Sequence, residues 1–170
     1  MAHRTSSQLK EASMANLKYQ KYIVTEMKAN VREAGWTHPM HNAGKGSDGR
    51  VLWLDNEVLP GAFYLETVWA YPRGPGEPAD KYPQRITDPH VHDFDEVLCF
   101  FGTNFQDPHD LAGEIEFWLD DEQYIIDYSC LIFVPRDLKH LPLVFRRIDS
   151  PVFFFTAGNS TKYTRASGNE

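Results

Sequence analysis

Short runs of apolar, β-branched and aromatic residues recur along most of the chain, and turn-forming residues separate them. The first two runs, 51–54 and 62–71, flank the turn residues Pro60 and Gly61. Runs of this composition predict β-strands, and proline or glycine between them predicts turns. Further runs of the same kind lie at 96–101, 113–119, 123–127, 130–134, 141–147 and 152–156. About nine short strands with hardly any convincing helix predict an all-β fold, either an antiparallel sandwich or a barrel.

The strand-like runs define one domain with a short N-terminal extension. At 170 residues the chain has the length of a single domain, and it shows no internal repeat. Residues 1–20 are polar and weakly helical, so we expect a flexible tail there and place the domain at 21–165. The segment 72–89 carries several proline and glycine turn signals, which predict a long loop over one end of the domain.

Composition and charge narrow the classes of partner. The chain has 24 acidic and 17 basic residues and a net charge of −7, which argues against binding to nucleic acid or to an anionic membrane surface. No apolar run is long enough for a membrane span, and the first residues lack the apolar stretch of a secretory signal. Cys99 and Cys130 lie in apolar strand-like runs, so we expect reduced core thiols in a cytoplasmic protein. The expected partner is therefore a small-molecule substrate.

Three histidines and one glutamate occur at spacings that suit a single divalent metal ion. His90 and His92 are two residues apart, so in an extended strand both side chains leave the same face, and Glu96 has the same parity. His140 follows a strand-like run that ends at Pro135 and can supply a fourth ligand from a neighbouring strand. These ligands suit manganese, iron, zinc or nickel, and the sequence does not distinguish among the four. A His-x-His pair alone is more often solvent-facing, but the complete set favours a metal site.

The same residues resemble the two sequence motifs of the cupin superfamily. The first motif, Gly-x5-His-x-His-x(3,4)-Glu-x6-Gly, is matched at its three ligand positions within 90–96, and Gly102 stands one residue early. The second motif, Gly-x5-Pro-x-Gly-x2-His-x3-Asn, is matched by Pro135 and His140. The resemblance covers residues from about 50 to 157. The chain departs from the motifs at positions that shape turns rather than bind metal, namely Gln84, Ser129, Asp137 and Val144.

The resemblance implies both a fold and a site. Cupins are small β-barrels of the double-stranded jelly-roll type that hold one metal ion in the mouth of the barrel. The likeness therefore implies this fold, with His90, His92, Glu96 and His140 as the metal ligands. Cupins commonly dimerise through an N-terminal strand, so the resemblance also implies a homodimer. The aromatic-rich strands before Pro72 are suited to such an interface.

Strand parity suggests which other residues could surround a metal ion. Phe100 shares the face of the ligands, where it would line an apolar pocket that binds substrate. Trp69 and Tyr71 lie on one face of the run 62–71, and the sequence leaves open which face meets the cavity. A tyrosine there could donate a proton and a tryptophan could contact substrate. A core or interface position is the alternative for each of them.

Charged residues near the motifs are further candidates. Glu116, in the run 113–119, is the internal candidate for a general acid or base beside the metal. If its apolar neighbours form the core instead, Glu116 lies on an exposed face, and this ordinary alternation is the favoured alternative. Arg85 and Arg136 flank the two motifs, and either could bind a substrate carboxylate through two hydrogen bonds or project into solvent.

Three functions fit such a site. The favoured one is a metal-dependent enzyme that acts on a small oxygenated substrate (keto, enol or carboxylate) by non-redox Lewis-acid chemistry, as a lyase, isomerase or hydrolase. The alternative is an iron(II)-dependent dioxygenase, because the resemblance extends to cupin dioxygenases that use the same ligands. A further alternative is a cupin that binds a small ligand without catalysis. The complete ligand set favours an enzyme, although a fold alone does not decide the reaction.

Overall fold

The computed structural model describes residues 17–28, 49–74 and 82–167, and in these ranges the protein is built mainly of β-strands. A short 3-10 turn at Gln20–Tyr22 precedes the strands. No helix in these ranges is long and apolar enough to cross a membrane. The strands are β1 (Gly49–Leu54), β2 (Tyr64–Ala70), β3 (Gln84–Thr87), β4 (His90–Val91), β5 (Glu96–Phe101), β6 (Asp110–Leu119), β7 (Glu122–Tyr128), β8 (Cys130–Val134), β9 (His140–Ile148), β10 (Val152–Gly158) and β11 (Ala166–Ser167).

The strands form two antiparallel sheets. One sheet has the order β1-β2-β10-β5-β8, and the other has the order β11-β4-β9-β6-β7, with β3 also paired to β9. Several neighbouring strands, such as β2 and β10, are far apart in sequence because the chain crosses from one sheet to the other. The inner faces of the two sheets enclose a common apolar core. The architecture is the single antiparallel β-barrel of the jelly-roll type that the resemblance to cupins implies.

Alternation of buried and less buried residues fixes the side of each strand that faces this core. In β6, Ile115 and Phe117 are buried and the residues between and beside them are partly exposed. On the opposite sheet, Phe154 of β10 stacks on Phe100 of β5 with ring centroids 4.9 Å apart. Full burial of one large apolar side chain contributes about 1.5–3 kcal/mol. We therefore expect packing between the sheets, rather than a bound ion, to supply most of the stability of the barrel.

The segment 72–89 differs from its prediction as an uninterrupted loop. Gln84–Thr87 forms β3, because Ile86 and Thr87 are buried while the strand pairs with β9. The strands β4 and β11 contain two residues each, too few to give a sequence pattern. The other predicted runs correspond to β1, β2 and β5 to β10. Most of the predicted tail 1–20 lies outside the described residues.

The outer face of the five-stranded sheet is unusually apolar. Phe101, Leu131 and Phe133 on β5 and β8 are 39%, 66% and 59% exposed. Phe153 and Phe155 of the neighbouring β10 lie on the same outer face and are partly buried. A contiguous apolar patch on a protein surface often marks a site of association. The same sheet contains β1 and β2, the strands that the sequence suggests for a dimer interface.

Candidate metal centre

The four residues of the motif resemblance begin or flank three strands at one end of the barrel. His90 begins β4, Glu96 begins β5 and His140 begins β9, while His92 follows β4 directly. His90 and His140 are paired residues on the neighbouring strands β4 and β9. All four side chains are buried, and His140 has no exposed surface. The fold therefore brings together residues that are up to fifty positions apart in the chain.

The ligand atoms of these side chains converge. Nε2 of His90 lies 3.1 Å from Nε2 of His92. Oε2 of Glu96 lies 3.4 Å from Nε2 of His92 and 3.2 Å from Nε2 of His140. One ligand atom from each histidine lies within 4.8 Å of the others, so the three buried histidines could hold a metal ion.

Backbone carbonyl groups fix the tautomer of each imidazole. Nδ1 of His90 lies 2.8 Å from the carbonyl oxygen of Asp88, and Nδ1 of His140 lies 3.0 Å from that of Leu138. Nδ1 of His92 lies 2.5 Å from the carbonyl oxygen of Thr164. A carbonyl oxygen only accepts hydrogen bonds, so each Nδ1 must carry the proton and donate it. Each Nε2 then carries a lone pair that is directed at the other ligands, as in histidines that bind metals.

The residues present fit a divalent metal ion. Three imidazole lone pairs and one carboxylate oxygen are all acceptors, and their close approach in a buried site is favourable only with a cation among them. Nε2 of His140 has no hydrogen-bond partner among the described residues. It is close to Glu96 but is not aligned for a hydrogen bond. With metal–nitrogen bonds of about 2.0–2.1 Å, adjacent ligands lie about 3.0–3.4 Å apart, and the three separations given above fall in this range.

Protonation equilibria support the same assignment. Burial, together with the nearby His140 and His92, lowers the pKa of His90 to about 3, so its imidazole is neutral at physiological pH. A neutral imidazole is the form that binds metal.

The carboxylate of Glu96 is oriented by a neighbouring strand. The hydroxyl of Thr156 on β10 donates a hydrogen bond of 2.6 Å to Oε1 of Glu96. This contact leaves Oε2 directed at His92 and His140. Hydrogen bonds of this kind to a metal ligand hold it in place and tune its affinity for the ion.

The segment after β10 closes the mouth of the barrel over this cluster. The hydroxyl of Tyr163 lies 3.2 Å from Nε2 of His90, and the carbonyl of the next residue accepts the hydrogen bond from His92. The ring of Tyr163 packs against Tyr64, with centroids 4.8 Å apart, and against Trp53. This aromatic wall shields one side of the ligand cluster from water.

A small cavity of about 20 Å³ adjoins the ligands, enough for about one water molecule. Its polar groups belong to His90, Glu96, Thr156, Tyr163, Tyr64, Thr87 and Glu66, and its apolar wall consists of Ile86, Leu98, Leu141, Leu143 and Phe154. Such a pocket admits a small ligand group beside the metal ligands.

Several predicted residues lie away from this cavity. Trp69 and Tyr71 lie on the outer side of the barrel wall, because Tyr64, Glu66 and Val68 take the inner side of β2. Their rings stack on each other with centroids 6.3 Å apart. The structure thus settles the question of strand facing that the sequence leaves open, and it places Trp69 and Tyr71 on the face away from this cavity.

The predicted acid–base residue Glu116 is also on an outer face. Ile115 and Phe117 beside it fill the core of β6, so Glu116 points outward and accepts a hydrogen bond of 2.8 Å from the indole of Trp118. That hydrogen bond is the largest cause of the lowered pKa of Glu116. The favoured alternative, an ordinary exposed strand face, describes its position.

The remaining predicted substrate contacts are placed differently as well. Phe100 faces inward as its parity predicts, but it belongs to the apolar core below the cavity, which Leu98 lines instead. Arg85 is exposed and pairs with Asp88 at 2.8 Å. Arg136 is exposed and lies 3.7 Å from a carboxylate oxygen of its neighbour Asp137. Solvent therefore surrounds both guanidinium groups.

Sequence reasoning misses Glu66, Thr156 and Tyr163. Glu66 is a charged residue in an otherwise apolar and aromatic run, which is a signal, but its significance depends on the unknown facing of β2. Thr156 gives no signal because a threonine is ordinary in a strand. Tyr163 follows the last predicted strand, and only the folded chain brings it 73 positions back to His90.

No protein-family model matches the chain, and no curated protein matches it. An oxalate oxidase in complex with the substrate analogue glycolate is 14% identical, with a TM-score of 0.49 over 91% of this chain and 67% of that one. An uncharacterised protein with a double-stranded β-helix domain from Klebsiella pneumoniae is 12% identical, with a TM-score of 0.48 over 87% of this chain and all of that one. A cupin-2 domain from Rhodospirillum rubrum is 12% identical, with a TM-score of 0.40 over 63% of this chain and 57% of that one.

Likeness at this level identifies neither a reaction nor a substrate. The chain's own features are more specific. Two antiparallel sheets form one barrel, and residues of both histidine motifs meet at its mouth. By these features, the chain has the fold of the cupin superfamily.

Proposed function

We propose that the protein is a metal-dependent enzyme that acts on a small oxygenated organic substrate by non-redox chemistry, as a lyase, isomerase or hydrolase. The observation that carries this proposal is the convergence of three imidazole lone pairs and one carboxylate oxygen beside a small cavity. His90, His92, His140 and Glu96 would hold the ion. When bound, a divalent ion supplies Lewis-acid polarisation of a carbonyl or carboxylate oxygen.

The residues of the chain would supply binding, shielding and proton transfer. The small volume and largely apolar wall limit the cavity to a small group of a ligand. Low polarity around the ligand strengthens every charge interaction inside the cavity. The hydroxyl of Tyr163, beside His90, is placed to hydrogen-bond an oxygen atom of a bound ligand. Thr156 keeps the Glu96 carboxylate oriented throughout.

The non-redox proposal is preferred over the iron(II) dioxygenase because the cavity contains an ionisable carboxyl group. Burial is the main reason that the pKa of Glu66 is raised to about 7. A group with a pKa near the ambient pH suits chemistry that moves protons. The four metal ligands serve both reaction classes, so they do not favour either one.

Metal analysis combined with anaerobic assays tests this proposal. Protein purified without chelator is analysed for metals beside the His92→Ala variant. It is then assayed with small keto, enol and carboxylate compounds, with and without oxygen. We expect bound metal that the variant lacks and turnover that is independent of oxygen. Turnover that requires both oxygen and iron(II) would establish the dioxygenase instead. Metal binding without any turnover would favour a ligand-binding protein.

A further inference from the structure

The cavity contains a carboxyl group that the metal centre does not use. Glu66, in β2, is fully buried and lines the same cavity as His90 and Glu96. Most of the surrounding wall is apolar. Burial of a carboxyl group in such surroundings is costly unless the group is paired or neutral. Glu66 therefore needs a specific partner, a proton, or both.

The pairing of strands places Glu66 beside Thr156, the residue that orients the metal ligand Glu96. Glu66 lies opposite Thr156 across β2 and β10. The hydroxyl of Thr156 donates to Glu96 on the far side. Directly opposed residues have Cβ atoms about 4.5–5.5 Å apart. A small group of a ligand that enters the cavity beside the metal ligands would thus reach the Glu66 carboxyl.

One oxygen of the Glu66 carboxyl lies against Arg50, and the other can hydrogen-bond a ligand. Nε of Arg50 lies 2.7 Å from Oε2 of Glu66, and both side chains are buried. The two groups are close enough for an ion pair but are not aligned for a hydrogen bond. The guanidinium of Arg50 also lies over the ring of Trp53, 5.0 Å from its centroid. Oε1 of Glu66 has no hydrogen-bond partner among the described residues.

We propose that Glu66 is the proton-transfer residue of this site and that Arg50 is the residue that positions it. This inference rests on the proposed function and adds the acid–base group to it. In the first step, the C–H bond next to a substrate carbonyl breaks, and the proton passes to Oε1 of Glu66. The electron pair of that bond stays on the substrate as an enolate. In the second step Glu66 returns the proton to the substrate, so no oxidant or other co-reactant is needed.

Burial and the neighbouring charges shift the pKa of Glu66 in opposing directions. Burial is the largest influence and raises the pKa of Glu66, Arg50 on β1 lowers it, and Glu96 on β5 raises it. The result is a pKa of about 7. Tyr163 contributes a neutral hydroxyl to the same cavity. A carboxyl balanced in this way can both accept and release a proton near neutral pH.

Infrared titration of the manganese-loaded protein tests the protonation of Glu66 directly. The variants are Glu66→Gln and, as a matched control, Glu114→Gln, whose side chain pairs with Arg146 on the outer face. We expect the wild type to show a protonated-carboxyl band that persists above the ordinary carboxyl pKa of 4.5. The band should vanish in Glu66→Gln and remain in Glu114→Gln. If Glu66→Gln leaves the spectrum unchanged, Glu66 is a permanently ionised structural partner of Arg50 and the proposal is wrong.

Hydrogen–deuterium exchange of small carbonyl compounds tests the transfer itself. Pyruvate, oxaloacetate and dihydroxyacetone in D₂O serve as probes, and NMR follows the loss of their C–H signals. General acid–base groups contribute about 10²–10⁴-fold, so Glu66→Gln should slow exchange by at least about 10²-fold while keeping its metal. Exchange at the wild-type rate in that variant would overturn the inference. Absence of exchange in the wild type would count against the proposed function, and the infrared result would still decide the protonation of Glu66.

The role of Arg50 has a separate readout. Arg50→Gln removes the positive charge beside Glu66 and should move the midpoint of the infrared band to higher pH, because Arg50 lowers this pKa. Arg50→Lys keeps the positive charge, and it serves as a second variant in case Arg50→Gln does not fold. We expect a smaller shift of the infrared midpoint in Arg50→Lys. An unchanged midpoint in both folded variants would remove Arg50 from the proposal.

Discussion

Removal of the hydroxyl that holds Glu96 should weaken the metal site without harm to the barrel. Thr156→Val keeps the side-chain shape and deletes the 2.6 Å hydrogen bond to Oε1 of Glu96. A hydrogen bond to a charged group contributes about 1.5–3 kcal/mol. Partners of this kind typically change metal affinity by about 10- to 100-fold. At about 1.4 kcal/mol for each factor of ten, the two ranges agree.

The assay is competition for zinc(II) or manganese(II) with a chelator of known affinity, together with urea unfolding of the metal-free protein. Thr103→Val is the matched control, because the Thr103 hydroxyl donates a hydrogen bond of 2.9 Å to the carbonyl oxygen of Pro151, outside the ligand cluster. We expect the control to lose about 0.5–1.5 kcal/mol of stability and to keep its metal affinity. Thr156→Val should lose affinity by at least about tenfold. Affinity within a factor of about two of wild type would refute the orienting role of Thr156.

Three further predictions follow from the same structure. Gly158→Ala should lower the unfolding temperature strongly, because an added Cβ would overlap the buried ring of Phe94; an unchanged temperature would contradict this packing. The metal-free protein should lose unfolding free energy as pH falls from about 6.5 toward 3, because the pKa of His90 lies below its unfolded value of 6.5 and the unfolded chain binds the extra proton. Urea titrations at several pH values measure this loss, and a flat profile would argue against a buried neutral His90. If the predicted homodimer uses the apolar outer face, Leu131→Glu with Phe133→Glu should yield monomers in light scattering, and dimers that persist would exclude this face.

The ligand cluster could be predicted from sequence because most of its residues lie close together in one short segment of the chain. The spacing of His90, His92 and Glu96 gives them a shared parity, and parity follows from strand geometry alone. The position of His140 after the strand-like run that ends at Pro135, together with the motif resemblance, predicts the fourth ligand, and the pairing of β4 with β9 brings it beside His90. The fold class follows from the alternating runs and their turn residues.

The rest of the site depends on contacts that the local sequence does not determine. The sequence does not determine which face of β2 is directed into the barrel, because both faces carry large apolar or aromatic residues. In the structure, Glu66 lies on the inner face of β2 and Trp69 lies on its outer face. Tyr163 reaches the site only because the segment after β10 folds back over the barrel mouth.

Metal content of protein purified without added metal or chelator tests the central claim most directly. Elemental analysis of the wild type is compared with the His140→Ala variant, and circular dichroism verifies that the variant keeps the barrel. We predict about one equivalent of manganese, iron, zinc or nickel in the wild type and loss of that metal in the folded variant. Full metal occupancy in His140→Ala, or no metal in the wild type even after reconstitution, would contradict the assignment of His90, His92, Glu96 and His140 as a metal centre.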